Sequence, residues 1–239
     1  MSLLRVLVLA PGCNPDSITV PRNAYERAEA LARVHSVTLV VHAADEESVR
    51  RAGGAFHGIE AIRLPGLDRL YNWALRRIFK YDYGRQSLTA ASYPRQIAFE
   101  WRAWLKLRGR ILSRDFDVVL RLLPIVAPLP SPFAFFLRNG PVPFVIGPLN
   151  GGLPWPEGFP QLDKQRREAG WWFSKLRGLY RYLPFARSTY SKAAAIIAAS
   201  SHTFAEFASH RDKLFFIPGG GTNGLNPEVL EKPVRPRAS

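Results

Sequence analysis

The chain is 239 residues long, between one large domain and two small ones, and its 47% apolar content suffices for a packed core. Its 33 lysines and arginines against 19 acids give a formal net charge of +14. A lone cysteine, Cys13, excludes an internal disulfide framework and fits a reducing compartment.

The charge is local. Residues 67–114 hold eleven basic and three acidic residues, and residues 163–192 hold eight and two, so surpluses of eight and six make up the whole excess. Charge gathered in this way points to a surface that meets something anionic.

In chain order, the opening "MSLLRVLVLAPGCN" has a short apolar run that contains Arg5, and "LAPGC" resembles a lipoprotein cleavage box except at Pro11. A buried strand over residues 5–10 is the preferred reading, because strand-length apolar runs often end in Pro-Gly. The loop "APGCNPDSITVP" (10–21) leaves that strand and enters a helix opened by Pro21, with Ala24, Ala28 and Leu31 on one side. Further strands are expected at 36–41, 59–64, 117–122, 142–146, 194–200 and 213–218. Several are apolar at successive positions, which suits parallel strands covered on both faces. Strand, loop, helix, strand is a right-handed crossover unit. Its repetition predicts an α/β fold: a doubly wound, mostly parallel Rossmann-like sheet with helices on both faces.

The middle reads as helical. Residues 67–83 are basic and rich in aromatics, and 170–192 repeat that theme. Over 91–114, Ile97, Trp101, Trp104, Leu105, Arg108 and Leu112 recur at three- and four-residue spacing, which predicts one apolar and one basic face. Residues 118–137 have membrane length, but Arg121 and four prolines break the run, and the expectation is a soluble protein. After 218 come "GGGTNGLNP" and a Pro/Arg-rich tail with linker composition.

Three loops at strand ends could carry chemistry. The first holds Gly12, Asn14 and Ser17 where ligands of open α/β sheets sit, facing amides of a helix amino terminus. It lacks G-x-G-x-x-G, and no G-x-x-x-x-G-K-[ST] element occurs, so a dinucleotide or P-loop reading fails. A plain turn and a ligand-binding loop both fit it. The second is "GPLNGGLPWP" (147–156), in which Gly147 and Pro148 are expected to break the extended run. There Asn150, Gly151 and Gly152 allow close backbone approach and an anion nest. The third is "SSHTF" (200–204), where Ser200 or Ser201 caps a helix that begins with His202 and Thr203. The histidines show no metal-ligand spacing, so no metal is expected, and no G-x-S-x-G elbow supports acyl hydrolysis.

Four pieces in this order, "RVLVLAPGCNPDSITVPRNAYERAEALA", "VPFVIGPLNGG", "AAAIIAASSHTFAEF" and "KLFFIPGGGTN", resemble the amino-terminal domain of glycosyltransferase family 4, whose enzymes have the two-lobed GT-B fold. They match the family's first strand with its glycine loop, its GP-x-x-GG loop, its ADxIIAxS strand and helix, and its IPNGVD interdomain crossing. The resemblance implies a Rossmann-like amino-terminal domain over 1–218, an interdomain linker over 219–239, and a second domain absent from the sequence. It implies the acceptor-binding half of a retaining transferase that moves a sugar from a nucleotide-sugar to a glycan or lipid-linked acceptor, as in cell-surface polysaccharide synthesis. Gly12, Asn14, Ser17, Asn150, Gly151, Gly152 and His202 would then line or rim the acceptor cleft. The family's E-x7-E pair and donor pocket have no counterpart here, so no catalytic residue is assigned, and half an enzyme would be inactive alone. A separate donor-binding domain would complete it; no cofactor is expected, the nucleotide-sugar being a substrate.

Enzymes of this architecture often act on membrane-bound acceptors. "LYNWALRRIFKYDYGR" carries the aromatic and cationic mixture suited to an anionic bilayer, with Trp73, Arg76, Arg77 and Lys80 as docking residues. An ordinary solvated helix face fits the same stretch. The implied location is cytoplasmic, at the inner face of the plasma membrane when docked. The alternatives from another class are a non-catalytic module and a binder of nucleic acid or anionic surfaces. Nucleic acid is not the expected partner, because no recognisable binding module appears.

Overall fold

A computed structural model describes residues 3–77, 86–125, 129–150 and 184–218. Seven strands form one all-parallel sheet: β1 (Arg5–Leu9), β2 (Ser36–His42), β3 (Gly58–Ile62), β4 (Val118–Arg121), β5 (Phe144–Leu149), β6 (Ala195–Ala198) and β7 (Leu214–Phe216). The spatial order is β3-β2-β1-β4-β5-β6-β7. All seven strands expected from the apolar runs are present, and the doubly wound α/β class is borne out.

The sheet is covered on both faces. Val6, Val8, Val37, Leu39 and Val41 point to one face, where α1 (Val20–Ala32) packs Ala24, Tyr25 and Ala28 and α2 (Glu46–Arg51) packs Val49. Leu7, Leu9, Val40, Val119, Phe144 and Ile146 point to the other. There they meet α4 (Gln86–Leu112), α5 (Pro132–Phe136), α6 (Ala186–Ser191) and α7 (Ser201–Glu206) through Phe99, Phe133, Tyr190 and Phe204. α3 (Pro65–Arg77) lies against α4.

The expected apolar face of α4 is corrected by about one residue of helical rotation. Phe99, Ala103, Leu107 and Ile111 are the buried residues, at strict four-residue spacing, whereas Trp101, Leu105 and Leu112 are exposed. The large aromatics flank the contact instead: Trp104 stacks on Phe136 at 4.8 Å and Trp101 meets the same ring edge-on at 5.3 Å. Small Ala103 permits close approach to the sheet. Glu100, which sequence reasoning leaves outside, is fully buried beneath it.

The second correction concerns Gly147 and Pro148. They do not end β5; the strand continues to Leu149, with a register irregularity between Ile146 and Leu149 against β6. Gly147 holds φ 129°, a backbone conformation that residues with a side chain rarely adopt. A Cβ there would lie 2.9 Å from Cβ of Ile197 and closer still to its carbonyl oxygen. That glycine is required by strand packing.

Candidate functional site

Because every strand is parallel, all carboxyl ends lie along one edge of the sheet. The crossover leaving β1 runs to the α1 face, whereas the one leaving β4 runs to the α5 face. β1 and β4 are neighbours, so their loops flank the point where the winding reverses, the place where open α/β sheets form a ligand crevice.

The crevice walls are tied to the sheet. Leu122 and Leu123 donate their N–H groups to the Leu9 carbonyl at 2.9 and 3.2 Å, and Asn150 donates its own to Ile125 at 3.0 Å. Ala199 N–H reaches the Leu149 carbonyl at 2.8 Å. The loops after β1, β4, β5 and β6 therefore form one continuous rim. β1 and β6 are three strand spacings apart, about 15 Å.

Gly12 is half-buried and faces Leu123; a Cβ on it would sit 3.9 Å from Leu123 Cδ1, an ordinary contact. Space, not steric need, marks this position. Asn14 has both side-chain ends engaged: Nδ2 donates to Asp45 Oδ1 at 2.9 Å and Oδ1 accepts the Asp16 N–H at 2.9 Å. Ser17 N–H closes the turn on the Asn14 carbonyl at 3.4 Å. Thr19, the last loop residue before α1, holds φ 59°, which is costly for a β-branched residue.

Asn150 follows β5 half-buried, and among the described residues no donor reaches its buried side-chain Oδ1. Such an acceptor carries a desolvation cost of about 1–3 kcal/mol until something donates to it. Gly151 and Gly152 lie outside the described residues. Ser200 Oγ caps α7 by accepting the Thr203 N–H at 3.2 Å. His202 follows in the first turn, partly exposed, with Nε2 3.9 Å from Glu206 Oε1. Gly12, Asn14, Ser17, Asn150 and His202 thus lie along the same edge, and among them a direct hydrogen bond joins Ser17 to Asn14.

Sequence reasoning misses a polar cluster at the carboxyl end of β2. His42 is buried there; its Nδ1 accepts the Ala44 N–H at 3.2 Å, which puts the neutral ring's proton on Nε2. That nitrogen lies 2.9 Å from Asp68 Oδ1, at an angle too bent for a full hydrogen bond. Arg95 Nε donates to the same oxygen at 2.9 Å. Burial, helped by Arg95 and opposed by Asp68 and Asp45, holds His42 below its ordinary pKa. Asp45 is pushed up by burial, against its hydrogen bond from Asn14. Cys13, completely buried, has its thiol pushed up to about 12 by burial and by Asp45. A histidine closing a strand, followed by "AADEE", is the signal that could have found this cluster.

The predicted docking residues Trp73, Arg76 and Arg77 are exposed on α3; Lys80 lies outside the described residues. Among the described residues no three His, Cys, Asp or Glu side chains converge as metal ligands. None of the described helices is long and apolar enough to cross a membrane.

No protein-family model matches the chain, and no curated protein matches it. Among solved structures it is similar to HepE from Anabaena, in complex with UDP and glucose, at 12% identity and a TM-score of 0.44. That match covers 91% of this chain and 45% of HepE, so the chain spans less than half of HepE's length. It is also similar to a short-chain dehydrogenase from Streptomyces avermitilis, at 13% identity and a TM-score of 0.38, covering 88% of this chain and 93% of that one.

Proposed function

We propose that this chain is the acceptor-side lobe of a two-lobed retaining glycosyltransferase of the family 4 kind, moving a sugar from a nucleotide-sugar onto a glycan or lipid-linked acceptor. One observation carries the reading. The loop segments that resemble the family's motifs, after β1, β5, β6 and β7, all leave the same edge of the parallel sheet. A long polar rim at the point where the winding reverses suits an acceptor with several hydroxyl groups.

Within this reading Asn150 Oδ1, buried and without a donor among the described residues, accepts from an acceptor hydroxyl, and Gly151 and Gly152 are the positions whose amides would approach a phosphate or hydroxyl. His202, in the first turn of α7 at the same sheet edge, is assigned the role of orienting the acceptor. Gly12 keeps the crevice mouth open, while Asn14, through Asp45, holds the first loop in place. The donor nucleotide-sugar is held by a second lobe, wherever that lobe is encoded.

The test is transfer of labelled sugar from a panel of nucleotide-sugars, UDP-glucose first, to glycan and polyprenyl-phosphate acceptors, with a donor-binding lobe supplied. Asn150→Ala and His202→Ala should raise the KM for acceptor at least tenfold while leaving donor KM unchanged. Transfer indifferent to both changes would remove this rim from the acceptor site.

A further inference from the structure

The helix α4 carries two apolar stripes. Phe99, Ala103, Leu107 and Ile111 form the one buried on the sheet. At 3.6 residues per turn, Trp101, Leu105 and Leu112 form a second, about 160° round the helix from the first. These three side chains are 44%, 50% and 53% exposed. Apolar side chains exposed singly are ordinary, but a row of them along one outer helix face marks a contact surface.

The same face holds two small residues, Ala98 and Gly109. Gly109 is exposed, and a Cβ added to it would meet nothing within 4 Å. Helix interiors disfavour glycine, and no contact among the described residues asks for one here. The sizes alternate about one point. Trp101 and Gly109 lie four residues either side of Leu105, and Ala98 and Leu112 lie seven. A second copy of α4, laid antiparallel about a two-fold axis at Leu105, therefore sets each Trp101 over the other copy's Gly109 and each Leu112 over the other copy's Ala98. The two Leu105 side chains meet on the axis. Large faces small at every step, the self-complementarity that a two-fold interface requires. Trp101 is already braced edge-on by Phe136 at 5.3 Å, so its burial costs little ordering.

We propose that this outer face of α4 is the seam of a homodimer, in which two copies of the helix pack antiparallel with Leu105 on the two-fold axis. Residues 98–112 span about 21 Å of helix, less than a standard interface of about 800 Å² per partner needs, so the dimer is reversible and of micromolar affinity. Arg102 and Arg108 flank the seam on its two sides, each about 9 Å along the helix from its own counterpart, close to one Debye length at 0.1 M salt. The net charge of +14 on each copy opposes association at low salt, and added salt relieves it. An acidic partner docked on the same cations would show the reverse salt dependence. The seam is independent of the sugar-transfer reading.

The experiment is sedimentation equilibrium of the full chain. It should show a micromolar monomer–dimer equilibrium that tightens as salt rises from about 0.05 M to about 0.5 M. Leu105→Asp, at an exposed position, should keep the melting temperature of the monomer and abolish the dimer. Gly109→Ala should leave the monomer at least as stable, because alanine favours helix, yet weaken the dimer at least about fivefold by filling the space that Trp101 takes. Oxidation reads the register. Leu105→Cys should form a disulfide-linked dimer, because residues facing each other on the axis of two packed helices come within disulfide reach. Leu112→Cys, about 21 Å from its own counterpart, should not. Cys13 is buried and does not compete. A chain that stays monomeric at every salt, an association that loosens with salt, or one that survives Leu105→Asp overturns the proposal. So does cross-linking of Leu112→Cys in place of Leu105→Cys.

Discussion

Arg121 and Glu100 face each other at 3.1 Å with no exposed side-chain surface, one at the end of β4 and the other on the sheet-facing side of α4. Glu100 also accepts from Gln96 at 2.7 Å and from the Ser131 hydroxyl, and Arg121 Nη1 donates to the Leu129 carbonyl at 2.8 Å. The pair thus fixes α4 on the sheet and pins the chain leaving β4 beside the crevice. Removing one partner strands a buried charge, so Arg121→Leu should cost about 3–5 kcal/mol in urea unfolding. Arg121→Leu with Glu100→Leu should cost less than the sum of the single changes.

Two glycines, Gly147 inside β5 and Gly12 in the loop after β1, should respond differently. Gly147→Ala meets both a positive φ and the Ile197 backbone, and a loss of about 2–4 kcal/mol is expected. Gly12→Ala meets only an ordinary contact with Leu123 and should stay within about 0.5 kcal/mol of wild type. Parallel denaturation curves check both.

The cap of α7 rests on Ser200. Ser200→Ala should lose about 1 kcal/mol, and Ser200→Asp should restore most of it. A thermal melt of the three proteins decides this.

His42 sets a pH dependence. Its pKa is lowered on folding, so the unfolded chain takes up a proton first as pH falls below the ordinary value of 6.5. Stability should therefore be full above that value and decline below it. Asp45, raised above its ordinary 3.8, acts with opposite sign in the lower window. Between about pH 7 and 5.5 the wild type should lose stability and His42→Asn should lose less. Equal slopes in the two proteins would assign the loss to other groups.

Cys13 should be inert while the chain is folded. Complete burial and a thiol held as SH leave almost no thiolate to react. Ellman's reagent should modify it only after unfolding, at a rate set by opening.

The strands were legible because successive apolar residues, as in "RVLVLA" and "SVTLVV", admit few structures besides a strand covered on both faces. The Ser200 cap and the half-buried side of α1 followed from local chemistry in the same way. The orientation of α4 did not, because size and hydrophobicity singled out Trp101 and Leu105, while a non-local partner, Arg121, drew Glu100 inward. Gly147 misled for a related reason. Glycine followed by proline is usually a stop, but this pair lies inside a strand because β6 approaches its backbone. At the rim, loop positions were readable from strand ends, whereas the His42, Asp68 and Arg95 contacts join β2, α3 and α4 over up to 53 positions and left no local trace.

The two margins of the sheet are unlike. At β3, Glu60 is bridged by Lys106 and Arg110, so that border is hydrated and guarded by charge. At β7, a three-residue strand, Phe215 and Phe216 are exposed, as is Ile217 just after it. A surface approaching this β-layer therefore meets ion pairs beside Glu60 at one margin and bare apolar side chains beside Phe216 at the other.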